Sequence, residues 1–413
     1  MRGLARRLRH QQRSTFLVAS GLSTAGSFAG LIAKGWILLH GTGSPLLLAL
    51  HFAALSLPAL LMSGPAGVLT DRLGCERVLI RSQWALFGAG CLGALAIPLL
   101  QGRAQVLMLL LSTLLVGLAS TYELTARNKY CALLVDRPDQ LAPYLTSFSV
   151  VFNVGKLVGP PLGGWLVALA GPAMALAIDA ATYLIPIATV IWLLQPNRDR
   201  EQRSQAGAAA SLGTAWRECG PVLRHVLRFT ALACLVGFFH PGLAALIAAE
   251  LLGPTPQALG WFTSVLAAGS VSGGLLLQRH SQVLSRRPAW LLGGCAVLTA
   301  LAQLGMALSL AWPDSGGKTT LSLAMTFLIG AGTACLLAGT NLIAQVGAPQ
   351  VLRGRMAGLG QIAFLGGGGL SGLLAALLTM RLGLLWCFAL LGLAGLAMGL
   401  VELGQRRLRL EPA

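Results

Sequence analysis

An apolar run of about 20 residues is long enough to cross ~30 Å of hydrocarbon as a helix, and this chain repeats such a run twelve times. The spans lie near 15–39, 46–66, 78–100, 104–126, 144–170, 172–194, 229–250, 258–277, 289–311, 320–344, 356–379 and 383–403. Hydrocarbon offers the backbone no hydrogen-bond partner, so such a chain must form helices that satisfy their own N–H and C=O groups. Composition agrees. With 55% hydrophobic and only 10% charged residues, the chain has more apolar surface than a soluble domain hides, and it reads as an all-α membrane protein with twelve spans in a lipid bilayer. Arg2, Arg6, Arg7, Arg9 and Arg13 precede span 1 as they would a secretory leader, but the run is too long for a leader's apolar core and has no obvious small-residue cleavage site, so it is kept as a span.

The formal net charge of +17 raises nucleic acid as a partner, but that needs basic residues gathered on one folded face among aromatics. Here they are dispersed, and their distribution reads as topology. Counted over alternate loops, 25 lysines and arginines fall on one side and three, Arg103, Lys318 and Arg381, on the other, with Lys34 and Lys156 inside spans. Cytoplasmic loops retain basic residues. Both termini are therefore expected in the cytoplasm, around a multi-pass protein of the cell (inner or plasma) membrane. Eight cysteines stand singly, without metal-ligand spacing, and read as small buried hydrophobes; no metal and no cofactor are expected.

The longest polar interval, QPNRDREQRSQAGAAASLGTAWRECG at 195–220, halves the chain. Its composition is that of a linker leading into an amphipathic piece, TAWRECGPVLRHVLR, expected on the inner membrane surface. The expected organisation is an N-terminal arm (1–14), a six-span half (15–194), a cytoplasmic linker (195–228), a second six-span half (229–403) and a tail (404–413). The halves echo each other: FNVGKLVGPPLGGWLVALAG (152–171) aligns without gaps on FLGGGGLSGLLAALLTMRLG (364–383), sharing Phe152/Phe364, Gly155/Gly367 and Gly171/Gly383 at the equivalent spans 5 and 11. Paired six-span halves are a secondary-transporter architecture.

Between spans 2 and 3 the chain reads GVLTDRLGCERVL. Gly67, Leu69, Asp71, Arg72 and Gly74 there match the G-x-L-x-D-R-x-G-R-K signature of the major facilitator superfamily; Cys75 and Glu76 replace its two basic residues, and a cation returns at Arg77. A carboxylate at a helix end can accept from neighbouring helix N-termini and arginines, so this stretch is a candidate conformational switch. Span 5 carries GKLVGPPLGG, in which Gly155, Gly159, Pro160, Gly163 and Gly164 match the G-x-x-x-G-P-x-x-G-G pattern of the superfamily's antiporters. Glycines four apart permit close helix crossing, and the proline bends the span. With HGTGSPLLLAL, ARNKY, DAATYL and LRGRMAGL, the chain resembles the drug and siderophore exporter group that includes the enterobactin exporter and macrolide efflux proteins. That group often carries an acidic residue in span 1 where Ser27 stands here.

Ionisable residues within spans are costly and mark candidate coupling or substrate sites. They are Lys34 in span 1, Glu123 and Arg127 four apart at the end of span 4, Lys156 in span 5 and Asp179 in span 6. Lys34 and Asp179 lie at similar depth, about 10 Å from the outer helix ends at ~1.5 Å per residue, and are expected to pair. His51 and His240 read as packing residues. Enzyme motifs are missing: there is no H-E-x-x-H and no nucleophile elbow, and GGKTT at 316–320 lacks the first glycine of a phosphate loop. The expected function is secondary active export of a small amphiphilic molecule, drug-like or siderophore, by proton antiport and alternating access, from a monomer. Lysophospholipid translocation, uptake by symport, or a non-transporting scaffold or sensor are the alternatives.

Overall fold

A computed structural model describes residues 2–135, 140–194, 216–217, 219–284, 287–313, 316–347 and 353–405, and among them no strand occurs. The helices are α1 (Arg2–Thr42), α2 (Pro45–Leu73), α3 (Cys75–Leu99), α4 (Gly102–Leu133), α5 (Leu141–Thr182), α6 (Leu184–Ala188, followed by a π turn, Thr189–Leu193), α7 (Pro221–Gly237), α8 (Ala244–Leu252), α9 (Pro256–Leu284), α10 (Pro288–Ala311), α11 (Gly316–Gly347), α12 (Arg353–Leu382) and α13 (Leu384–Gly404). Ten helices among the described residues are long and apolar enough to cross a membrane. Two local features reconcile that number with twelve spans.

The first is a chain reversal inside α5. Gly171 has φ 82° and ψ 164°, a conformation a side chain would strain. Before it, Gly155, Gly159 and Gly163 meet Thr24, Ala25 and Ala29 of α1 in ascending order, whereas after it Asp179 and Thr182 meet Gly30 and Gly26 in descending order. One continuous stretch thus holds spans 5 and 6. The repeat detected in sequence extends to this backbone: Gly383, aligned with Gly171, has φ 88° and ψ 164°, and Gly367, aligned with Gly155, abuts Ala231 and Cys234 of α7 as Gly155 abuts α1.

The second feature is a break in span 7. The apolar run predicts a continuous helix over 229–250, but α7 ends at Gly237 and α8 starts at Ala244. Pro241 supplies no N–H, and Gly237 and Gly242 lower the cost of leaving the helix. The freed carbonyls are not abandoned: Gln303 Nε2, fully buried on α10, reaches Val236 O at 3.4 Å and Gly237 O at 3.3 Å.

Three boundaries differ from the sequence reading. The N-terminal arm is continuous with α1. The linker ends at Pro221 rather than at 228, because Leu223, Val226 and Leu227 are buried with Leu291, Leu292 and Ile343 as the first turns of α7; an apolar face that finds a bundle has no need of the membrane surface. The stretch from Gly67 to Arg72, expected in a loop, forms the last two turns of α2. Residues 195–215 and 218 of the linker and 406–413 of the tail lie outside the described residues.

The chain divides into two compact units, Met1–Ile37 with Leu61–Ala209 and Leu38–Leu60 with Ala210–Ala413. In the first, α1 is clasped by both arms of α5. A Cβ at Gly159 would stand 2.5 Å from Ala25 O and 2.8 Å from Phe28 Cβ, and one at Gly163 would stand 2.6 Å from Ala29 O. This is the backbone approach that small residues permit in membranes, where close packing and not the hydrophobic effect holds helices together. In the second, a core joins α7, α10, α11 and α12, and the Thr230 and Thr340 hydroxyls pair at 2.7 Å between α7 and α11.

Gly159→Leu is therefore expected to lower the thermal unfolding midpoint of the detergent-solubilised protein, at a cost of about 1–3 kcal/mol for overpacking. Val158→Leu, one residue away on an exposed face, is expected to leave the midpoint unchanged; equal midpoints for the two variants would contradict the close approach.

Candidate functional site: the polar interior of the first unit

Charge placed in an apolar bundle needs space, partners and a reason. Lys34, eight residues before the end of α1, is 5% exposed. The missing side chain of Gly93 on α3 makes its room: a Cβ there would lie 3.2 Å from Lys34 Cε. Its Nζ donates to Ser112 Oγ of α4 at 2.9 Å, and Ser112 donates onward to Ala89 O of α3 at 2.7 Å.

Asp179, eight residues past the Gly171 reversal, is 6% exposed. Its carboxylate lies directly against the α1 backbone at Gly30, one turn before Lys34, where any Cβ would overlap it. Lys34 gives its hydrogen bond to Ser112, and Asp179 Oδ1 has no hydrogen-bond partner among the described residues. One turn further, the Tyr183 hydroxyl lies 2.8 Å from Ser27 Oγ.

A second group sits lower on α4. Arg127 Nη1 is 3.3 Å from Glu123 Oε1, and Gln83 Nε2 of α3 donates to the same oxygen at 3.3 Å. The Arg127 guanidinium also stacks over Phe148 of α5, 5.6 Å from the ring centre. Both Glu123 and Gln83 are buried, each one turn from a residue, Ala119 or Leu86, that packs with Tyr183. Lys34, Asp179, Tyr183, Ser27 and Glu123 thus share one interior. Lys156 stands apart on α5, partly buried, its side chain without a hydrogen bond or ion pair to another described residue.

The major facilitator signature residues occupy the α2–α3 junction. Asp71 forms an ion pair with Lys129 at the end of α4, where the signature leads one to expect arginines. With both side chains partly exposed, such a pair contributes little to stability and is easily made and broken. Arg72 and Arg77 are exposed, and Gly74, φ 87°, forms the one-residue break between helices. Pro160 and Gly164 are buried beside the glycines that face α1.

Sequence reading missed Ser112, Gln83, Lys129 and Tyr183 as parts of these groups. Tyr183 was present in DAATYL but not separated from it, and a lone hydroxyl or amide in an apolar run carries no pattern. It also missed Glu402 in the second unit, 2% exposed, whose two oxygens lie 3.1 and 3.0 Å from His225 Nε2. His240, beside the break after α7, is buried against Phe239 and Phe388.

A profile for the family described as transmembrane secretion effector matches residues 4–411. The chain belongs to that family of major facilitator transporters. The family consists of transporters and not of enzymes, which agrees with the missing catalytic motifs. Among curated relatives, the multidrug efflux pump Tap of Mycolicibacterium fortuitum is 28% identical over 406 residues, covering 95% of each chain; its namesake in Mycobacterium tuberculosis strain H37Rv is 26% identical over 407 residues, covering 95% of this chain and 93% of that one. The fold of this secretion effector is similar to that of the nucleoside transporter NupG, with a TM-score of 0.72 at 12% identity, covering 96% of this chain and 99% of that one. A bacterial homolog of the human lysosomal transporter Spinster also gives a TM-score of 0.72, at 14% identity, with 98% and 99% covered.

Either charge left alone in this interior costs a few kcal/mol. In a double-mutant cycle, Lys34→Met and Asp179→Asn are each expected to lower folded yield in detergent, and the double variant is expected to lose less than the sum. Strictly additive losses would show that the two charges are energetically independent.

Proposed function

We propose that this transmembrane secretion effector exports small amphiphilic molecules, drug-like compounds among them, by alternating access coupled to inward movement of protons. The observation that carries the reading is the shared interior of the first unit, where Lys34, Asp179 and Glu123 lie buried inside spans. A bundle held together by apolar packing has no structural need for three ionisable groups there, and groups that gain or lose charge at such depth are the means by which proton movement does work. The Tap relatives, efflux pumps by name and similar over nearly the whole chain, support export as the direction and drugs as a substrate class. The Asp71–Lys129 pair suits a contact that forms in one state and opens in the other, and Lys156, without a partner among the described residues, is suited to a wet cavity or an anionic part of the cargo. The basic loops support cytoplasmic termini in a cell membrane, and the protein acts as a monomer with the small molecule and the proton as its partners.

Inverted membrane vesicles carrying the protein test this directly, with ethidium as the probe. An acid-inside gradient is expected to drive ethidium into the lumen, and a protonophore to stop it. Accumulation that survives collapse of the gradient, or none beyond that of vesicles lacking the protein, would overturn proton antiport.

A further inference from the structure

Gln303 spends its amide protons on the break in span 7 and leaves its oxygen over. In an unbroken helix Gly237 O would take the N–H four residues on, but that residue is Pro241 and has none. Gln303 Nε2 instead reaches Gly237 O at 3.3 Å and Val236 O at 3.4 Å. The residue is 0% exposed, and its Oε1 is a buried acceptor with no hydrogen-bond partner among the described residues. Such an acceptor costs stability until a donor reaches it.

Gln303 lines a cavity of the second unit, enclosed by α7, α10, α11 and α13, together with Cys234, Gly237, Phe238, Thr299 and Thr333. The volume open to the centre of a water-sized sphere is about 20 Å³, and roughly 10–15 Å³ is enough for one water. Apart from the Cys234 thiol, a weak donor, the polar side chains around it have only acceptors to offer. Thr299 Oγ1 gives its proton to Cys295 O at 2.9 Å, and Thr333 Oγ1 gives its own to Ile329 O at 2.8 Å. An occupant must therefore donate. No carboxylate of a described residue lines the cavity, so a cation would keep its desolvation cost without an opposite charge to offset it. The neutral donor of that size is a water molecule.

We propose that this cavity is a water site, and that its water holds the Gln303 amide in the orientation that clamps the broken span. A water donating to Gln303 Oε1 and to a threonine oxygen keeps the amide oxygen turned away from Val236 O and Gly237 O; a reversed amide would set oxygen against oxygen. The other side of the clamp is close at hand, since a Cβ at Gly237 would stand 3.4 Å from Thr299 Cγ2. The site lies wholly in the second unit, and its water is independent of how transport is driven.

Brief X-ray radiolysis of the purified protein turns a bound water into hydroxyl radicals, and peptide mass spectrometry reads what they oxidise. Cys234, 1% exposed, lines the cavity, whereas Cys131 and Cys387, both 0% exposed, do not. Cys234 is expected to be oxidised several-fold faster than either and to resist a water-soluble maleimide over the same time. Ala296→Val, which adds two methyl groups to the cavity lining, is expected to bring Cys234 down to the rate of the other two. Wild-type Cys234 oxidised no faster than Cys131 and Cys387, or labelled rapidly by the maleimide through an opening to bulk solvent, would overturn the water site. Hydrogen exchange over residues 238–243 reads the clamp. Gln303→Met keeps the length of the side chain without its amide and is expected to speed exchange there several-fold, as is Ala296→Val through loss of the water. Wild-type exchange in Gln303→Met would overturn the clamp, and wild-type exchange in an Ala296→Val protein whose Cys234 is no longer oxidised would overturn the role of the water in it.

Discussion

Hydrocarbon supplies no hydrogen bonds, and this governs where the protein is regular and where it is not. Helices satisfy their own backbones, so the bundle follows from the apolar runs almost without further instruction. The departures are the informative places, because each requires a named compensation. Where α7 breaks, Gln303 covers two carbonyls. Where Lys34 enters the interior, Gly93 gives it room and Ser112 an acceptor. Compensation is incomplete at several places, Asp179 among them, whose buried Oδ1 has no hydrogen-bond partner among the described residues. A group left in that condition costs stability, and a transporter gains from it only if the group changes partners during the cycle.

The two halves repeat a scaffold but not a chemistry. Gly171 and Gly383 turn the chain with the same backbone conformation, and the glycines one span earlier bring their helix against the first helix of each half. The buried ionisable residues Lys34, Glu123 and Asp179 belong to the first unit, whereas the second holds Gln303 at a broken helix and the Glu402–His225 contact near a helix end. The shared turns and crossings are those of an internal repeat, and the buried polar groups of the two units differ.

Much of this was legible in the sequence because bilayer thickness fixes helix length. The spans, the six-plus-six organisation and the superfamily could be read from apolar runs, the internal repeat and short motifs at fixed places. The glycines of span 5 could also be read as a close-packing face, since spacing by four sets one side of a helix. Partners could not. Lys129 rather than an arginine meets Asp71, and Ser112 rather than Asp179 takes the Lys34 hydrogen bond, because such choices depend on the rotation of helices far apart in sequence. The break in span 7 was obscured for a related reason: FFHPGL is apolar enough to continue a span, and hydropathy does not register a lost N–H.

The central claim is that protonation of the first unit's interior is linked to cargo binding, and linkage is reciprocal. The most direct measurement is proton release in weakly buffered detergent solution, followed with a pH indicator as ethidium is added to the purified protein. The account predicts that wild-type protein releases protons in proportion to bound dye and that Asp179→Asn binds dye without releasing them. Undiminished proton release from Asp179→Asn would contradict it.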